Sequence, residues 1–496
     1  MSSARPTSAT DRLTGLAITL LGLAVLAFRL GWQDYWWDEE ITLMFTRLGW
    51  HDLLVTYWGL DTHRPVYYAL QKGWNILAGE SVWAVRGLPV AISLLILAVF
   101  LRIGRAIEAG PLAVLAALIL ITTPMFVHQG REIRMYGLLS LGMALSVWSL
   151  MRLVAATGVP GSRAWIWPGI ALAASLALAF YAQAVAVLLP VVLILWAAIA
   201  VVAGWLPGRF LALILPVAGV YVLLILPGLW PFLDHSAHTV GVNFWIPEPS
   251  LSVIYAQTTA IYPYPKWAKP VMALLILWGF WALRRQPLWN TLLICLVIGF
   301  PLLTIAVSFI KPIFFHRVIA WTSLPAALVL AAGLAPLRPA LRLGGLALVL
   351  AVQTMAIRTE YPTAPEPDPF AAFAPAFAGF DSRVDTFVLG SNSFEPRLRW
   401  THPALFEGHS LALLEGLDHR RVIDPVLHAR LLLPEMAMPL DPGTGRLFVL
   451  APVPPHEIAR RSPATTEALA RMASGAPRLI ETIEAPGLRL DIRAAP

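Results

Sequence analysis

Apolar runs long enough to cross a membrane recur in this chain near residues 13 to 31, 82 to 101, 111 to 127, 137 to 153, 166 to 181, 184 to 203, 210 to 229, 269 to 283, 290 to 309, 318 to 335 and 343 to 357. A helix of about 20 residues spans the ~30 Å hydrocarbon layer, so the pattern predicts a polytopic α-helical protein with about 11 transmembrane helices. Only 13% of the residues are charged and mean hydropathy is +0.70, which excludes an ordinary soluble domain. The first run, Leu13 to Gly31, reads as a spanning helix rather than a secretory signal, because no small-residue cleavage site follows it.

The net charge of +7 comes from basic residues scattered singly between apolar runs, which argues against nucleic acid as a partner. Topology accounts for them better. With a cytoplasmic N-terminus, the inner connections hold Arg102, Arg105, Arg152, Arg163, Arg209, Arg284, Arg285, Arg338 and Arg342, with Glu108 as their only acid. That obeys the positive-inside rule, and an odd helix number then places the C-terminal portion outside. The single cysteine, Cys295, rules out an internal disulfide and a cysteine metal cluster.

Two outward segments, 32 to 82 and 230 to 268, are too long for simple turns. The first mixes aromatic, acidic and basic residues, as interfacial amphipathic helices do. The second carries His235, His238, Trp245, Tyr262 and Tyr264, and reads either as a lid over a ligand or as an aromatic belt. A run of prolines beginning at Pro362 ends the apolar pattern and divides the chain into a membrane domain, 1 to 358, and a small extracytoplasmic α/β domain, 359 to 496. In that tail Val384 to Leu389, Arg446 to Leu450 and Leu488 to Ile492 read as strands, and Ser462 to Gly475 as a capped helix.

Directly after the first apolar run stand Trp36, Trp37, Asp38, Glu39 and Glu40. Consecutive helical residues point about 100° apart, so at most two of these acids can converge while the third faces water. One reading is a charge cluster favoured by the dipole at a helix start; the other is chemistry. Asp61, His63, Arg64, Tyr67 and Tyr68 in the same outward segment favour the second. Two further outward clusters are basic, against the trend: Arg131, Glu132, Arg134 and Tyr136, then Lys311, His316 and Arg317. Arginine near a membrane core needs a partner, either Glu132 and the first-loop acids or a phosphate at headgroup depth.

A carboxylate beside basic groups at the outer face suits sugar transfer from a polyprenyl phosphate, the acid taking a proton from an acceptor hydroxyl while cations stabilise the departing phosphate. A polyprenyl-lipid flippase or transporter is the main alternative, although inverted repeats and broken helices with mid-membrane polar groups are not evident. A structural scaffold would leave the basic clusters unexplained. The chemistry requires no cofactor, with a version dependent on a divalent metal as the alternative, in which Asp38, Glu39 and Asp61 supply hard oxygen ligands and His63 an imidazole.

These residues resemble the integral-membrane glycosyltransferases of the GT-C type, in the protein O-mannosyltransferase and aminoarabinose transferase superfamily (glycosyltransferase family 39-like). The resemblance runs over about residues 10 to 357 and rests on Trp37-Asp38-Glu39, on Asp61 to Tyr68 followed by Trp74 and Ala84-Val85-Arg86, on Arg131 to Tyr136, and on Lys311 to Arg317. It implies a GT-C fold, an inverting transfer and a lipid-linked sugar donor. It implies Asp38 as the base, Glu39 as its helper, and Arg131, Arg134 and Arg317 as receivers of the lipid phosphate, with Tyr136, His316 and Lys311 beside them. Asp61, His63, Arg64 and Tyr67 then support the acceptor side, and Glu40 is left as a solvated helix-start charge. Two departures concern the acceptor and the donor head: His63-Arg64-Pro65 replaces a frequent His-Pro-Pro, and Tyr181-Ala182-Gln183 stands where a histidine is often found. The expected setting is the cytoplasmic (inner) membrane, and the expected acceptor a glycan, a lipid or a protein.

Overall fold

The computed structural model describes residues 9–56, 63, 65–108, 110–157, 163–239, 246–413, 430–432, 434–453 and 463–494. The chain divides into two units, Met1–Trp32 with Leu54–Thr363, and Gln33–Leu53 with Ala364–Pro496. The boundary read from sequence at 358 leaves Gln33–Leu53 with the membrane portion, whereas its packing is with the C-terminal residues.

The first unit is helical. Among the described residues nine helices are long and apolar enough to cross a membrane, or ten with one bent pair. All eleven predicted windows are helical; the count falls because Ala268–Ala282 has only 15 residues and Leu112–Ile121 is bent by 59° from Pro124–Arg131. Pro124 lacks the N–H that would continue the first limb, and Thr122 and Thr123 turn their hydroxyls back to the carbonyl of Ile119. The break sets His128 and Arg131 in the last turn of a short second limb. A π-helical turn, Cys295–Gly299, interrupts another span just ahead of Phe300 and Pro301, and the Phe300 N–H reaches back five residues to the Cys295 carbonyl.

Burial ranks the helices. The span His316–Leu334 is 94% buried and lies at the centre, whereas Ala9–Ala27 is 17% buried and leaves Leu13, Leu16 and Leu20 for lipid. Small residues permit close packing, as where Gly279 meets the backbone of Val329 and Gly142 meets Ala179. A multi-pass membrane protein results.

The second unit contains a six-stranded sheet: β1 Thr386–Leu389, β2 His409–Leu413, β3 Arg430–Leu432, β4 Arg446–Pro452, β5 Arg478–Ala485 and β6 Leu488–Ala494. Its order is β3-β2-β1-β4-β6-β5; the first four strands are parallel and β6 and β5 are antiparallel additions. Side chains alternate between the faces. Phe387, Leu389, Phe448 and Leu450 meet an aromatic layer of Phe370, Phe373, Phe377 and Phe394, while Val388, Leu447 and Val449 meet Ala468, Leu469 and Met472 of helix Pro463–Ala473. The α/β tail and its three predicted strands are present, with β2, β3 and β5 in addition; the proposed cap Ser462 lies outside the described residues.

Helix Trp37–Arg47 of the first loop packs in this unit against helix Glu395–Thr401.

Candidate active site

The three acids open helix Trp37–Arg47, where carboxylates complement the unpaired N–H groups of the first turn. Glu39 turns back to its own helix start: its carboxylate accepts a long 3.4 Å hydrogen bond from the Trp36 N–H, and the residue is 1% exposed. Asp38 is half-buried, and its carbonyl accepts from the Thr42 hydroxyl.

Glu40 corrects the reading from sequence. It is not a solvated charge: its side chain is only 14% exposed and lies 4.0 Å from the Arg397 guanidinium. Burial pushes its carboxyl up to about 8; Arg397 pulls downward, while Asp34, Glu39 and Asp368 add to the rise. Arg397 also reaches Asp34 at 2.7 Å and Asp368 at 3.3 Å, and lies over the Tyr35 ring. Three carboxyls around one buried arginine are tolerable when one of them keeps its proton. Neither Asp34 nor Arg397 stood out in the sequence, although four acids within Asp34 to Glu40 imply a nearby cation.

In the helical unit, Arg131 sits where the first span ends. Its guanidinium donates to the carbonyls of Leu26 and Phe28, both at 2.7 Å, and of Arg29 at 3.3 Å, and stacks on Tyr361. Arg29 takes the left-handed conformation (φ 53°) usually given to glycine after a helix, which turns these carbonyls toward the cation. Arg131 thus has a structural task that the sequence did not show. His128 lies between Glu360, at 3.0 Å, and Glu132, at 3.5 Å. Arg134 is buried and Tyr136 starts the next span, itself nearly covered.

The two basic clusters meet: the Gln129 amide donates to the backbone carbonyl of Arg317 at 3.4 Å. Gln257, unremarked in the sequence, fixes His316, accepting from its backbone N–H at 2.9 Å with Nδ1 at 2.8 Å. That contact gives Nδ1 the proton and leaves Nε2 as an acceptor. Lys311 and Arg317 are half-buried. Tyr262 and Tyr264 of the proposed lid pair with each other, their ring centroids 5.8 Å apart.

Of the acceptor-side candidates, Asp61 and Arg64 lie outside the described residues, as does Trp245 in the second outward loop. His63 is half-buried, and Tyr67 begins a buried ladder with Gln71 and Asn75 that ties Val66–Ala78 to the carbonyl of Val85. Among the described residues no group of three or more His, Cys, Asp or Glu side chains is arranged to hold a metal.

Residues 34–241 match the family model described as dolichyl-phosphate-mannose-protein mannosyltransferase. No curated protein matches the chain in sequence. The fold is similar to that of ArnT from Cupriavidus metallidurans, solved with undecaprenyl phosphate, at TM-score 0.64 and 15% identity, over 99% of this chain and 100% of the other. The apo form of the same protein gives TM-score 0.63 and 14% identity over the same shares, 99% and 100%. The Archaeoglobus fulgidus oligosaccharyltransferase AglB, solved with an inhibitory peptide and a dolichol-phosphate, aligns at TM-score 0.53 and 10% identity, over 80% of this chain and 64% of that one.

Proposed function

We infer that this chain is a GT-C glycosyltransferase of the PMT/ArnT superfamily and moves a sugar from a polyprenyl-phosphate carrier to an acceptor hydroxyl or phosphate at the outer face of the cytoplasmic membrane. With a hydroxyl acceptor, Asp38 takes the O–H proton as the oxygen bonds to the anomeric carbon. The bond from that carbon to the phosphate oxygen breaks, and its electron pair leaves with the polyprenyl phosphate. Attack from the side opposite the phosphate inverts the anomeric centre.

Cations must meet the charge that gathers on the leaving phosphate. Arg131, Arg134 and Arg317 are the candidates, Arg131 also donating to three backbone carbonyls, with Lys311, His316 and Tyr136 near them in sequence. Glu39 helps by fixing the helix start that carries Asp38. A family match over 34–241 that contains both the acidic segment and the Arg131 to Tyr136 cluster carries this reading. Solved chains of the same fold were captured with undecaprenyl phosphate and with a dolichol-phosphate, which supports a polyprenyl carrier.

The test is transfer by purified protein in detergent, given a radiolabelled polyprenyl-phosphate sugar and fractions of the cell envelope. Label in a new glycosidic product, with release of free polyprenyl phosphate, is the expected result. Movement of intact lipid-linked sugar between vesicle leaflets, without transfer to any fraction, would overturn it in favour of a flippase.

A further inference from the structure

Helix Glu395–Thr401 holds the helix of the proposed base near both ends. At the first end, Arg397 bonds Asp34 at 2.7 Å and lies 4.0 Å from Glu40, residues on either side of Asp38, while Asp368 braces the same guanidinium at 3.3 Å. The Glu366 carboxylate accepts from the Asp34 N–H at 2.7 Å. At the other end, Arg47 donates to the Trp400 carbonyl at 3.0 Å and stacks on the Trp400 ring at 4.3 Å. Arg397 and Trp400 are three residues apart, so one face of a single short helix presents both anchors.

We propose that helix Glu395–Thr401 is the positioning element for Asp38, with Arg397 as the positioning residue, so that the C-terminal α/β unit sets the geometry of transfer. The proposal rests on the reading of Asp38 as the base. Arg397 is 5% exposed along its side chain and is surrounded by acids of this unit, so it is placed to orient the loop rather than to meet solvent. Its planar fork can hold Asp34 and Glu40 together on either side of Asp38, and a single ammonium does so less well. Misplacement of a reacting group by about 1 Å costs on the order of a hundredfold in rate.

The test compares full-length wild type, Arg397→Gln, Arg397→Lys, Arg47→Gln and Asp38→Asn in detergent, by transfer kinetics with a polyprenyl-phosphate sugar and by hydrogen exchange across residues 37 to 47. Arg397→Gln is expected to speed exchange in that segment and to lower kcat by about a hundredfold with donor KM within about twofold of wild type. Arg397→Lys should recover part of both losses, and Arg47→Gln should speed exchange at the far end with a smaller loss of kcat. Unchanged exchange in both Arg397→Gln and Arg47→Gln, or a loss confined to donor KM, would overturn the proposal. If Arg397→Gln does not fold, Arg47→Gln and Arg397→Lys decide by the same criteria. An active Asp38→Asn would instead remove the base assignment, whatever exchange shows, so the two failures are distinguishable.

Discussion

Replacement of Glu40 by glutamine should stabilise the second unit, increasingly so as pH rises. The carboxyl is raised from an ordinary 4.5 to about 8, chiefly by burial. Below about pH 4.5 the group is protonated in folded and unfolded chains alike and contributes no difference. Between about 4.5 and 8 the unfolded chain gives up the proton while the folded chain keeps it, so stability falls by ~1.4 kcal/mol per pH unit. Above about 8 both forms are ionised and the whole cost, ~5 kcal/mol, is present. Glutamine has nearly the same volume and no charge to bury, so its gain should be ~3 kcal/mol at pH 7 and ~5 kcal/mol at pH 9. Hydrogen exchange across residues 37 to 47 of purified protein, corrected for the intrinsic pH dependence of exchange, reads this difference as local opening. A Glu40→Gln advantage that is the same at pH 5 and pH 9 would refute the argument, because it would mean that Glu40 titrates normally.

Arg317→Ala should weaken binding of the lipid-linked donor about tenfold, on the order of one charge-assisted hydrogen bond; unchanged affinity by titration in detergent would count against its phosphate role. Arg131→Met should destabilise the protein by ~3 kcal/mol, because the buried Leu26 and Phe28 carbonyls lose their donor; an unchanged melting temperature with lost donor binding would return Arg131 to the phosphate. Gly279→Ala should lower the melting temperature through ~1–3 kcal/mol of overpacking against the Val329 backbone, and a neutral result would mean that the two helices can separate at little cost.

The spans were legible because each carries its own apolar signal. The bend at Pro124 was less so, since Thr122 and Thr123 can bond within an apolar helix without a visible break in hydropathy. In the sheet, β1 and β4 carry runs of branched and aromatic residues and β6 alternates apolar with charged ones, whereas β5, Arg478–Ala485, is largely exposed and is held by its pairing with β6 rather than by a buried face of its own. The site shows the same division. Acidic and basic clusters were visible as residue types, but a partner was not when it was a backbone carbonyl, as for Arg131, or a side chain distant in sequence, as for Glu40 and Arg397. Gln257 gave no signal either, because an amide becomes informative only once it is seen to fix His316.

Single-turnover transfer by Asp38→Asn, with donor binding measured on the same sample, tests the central claim most directly. The account predicts a folded protein that binds polyprenyl-phosphate sugar as wild type does and forms no glycosidic bond to a hydroxyl acceptor. Transfer at the wild-type rate would contradict it, since the proton would then have another acceptor.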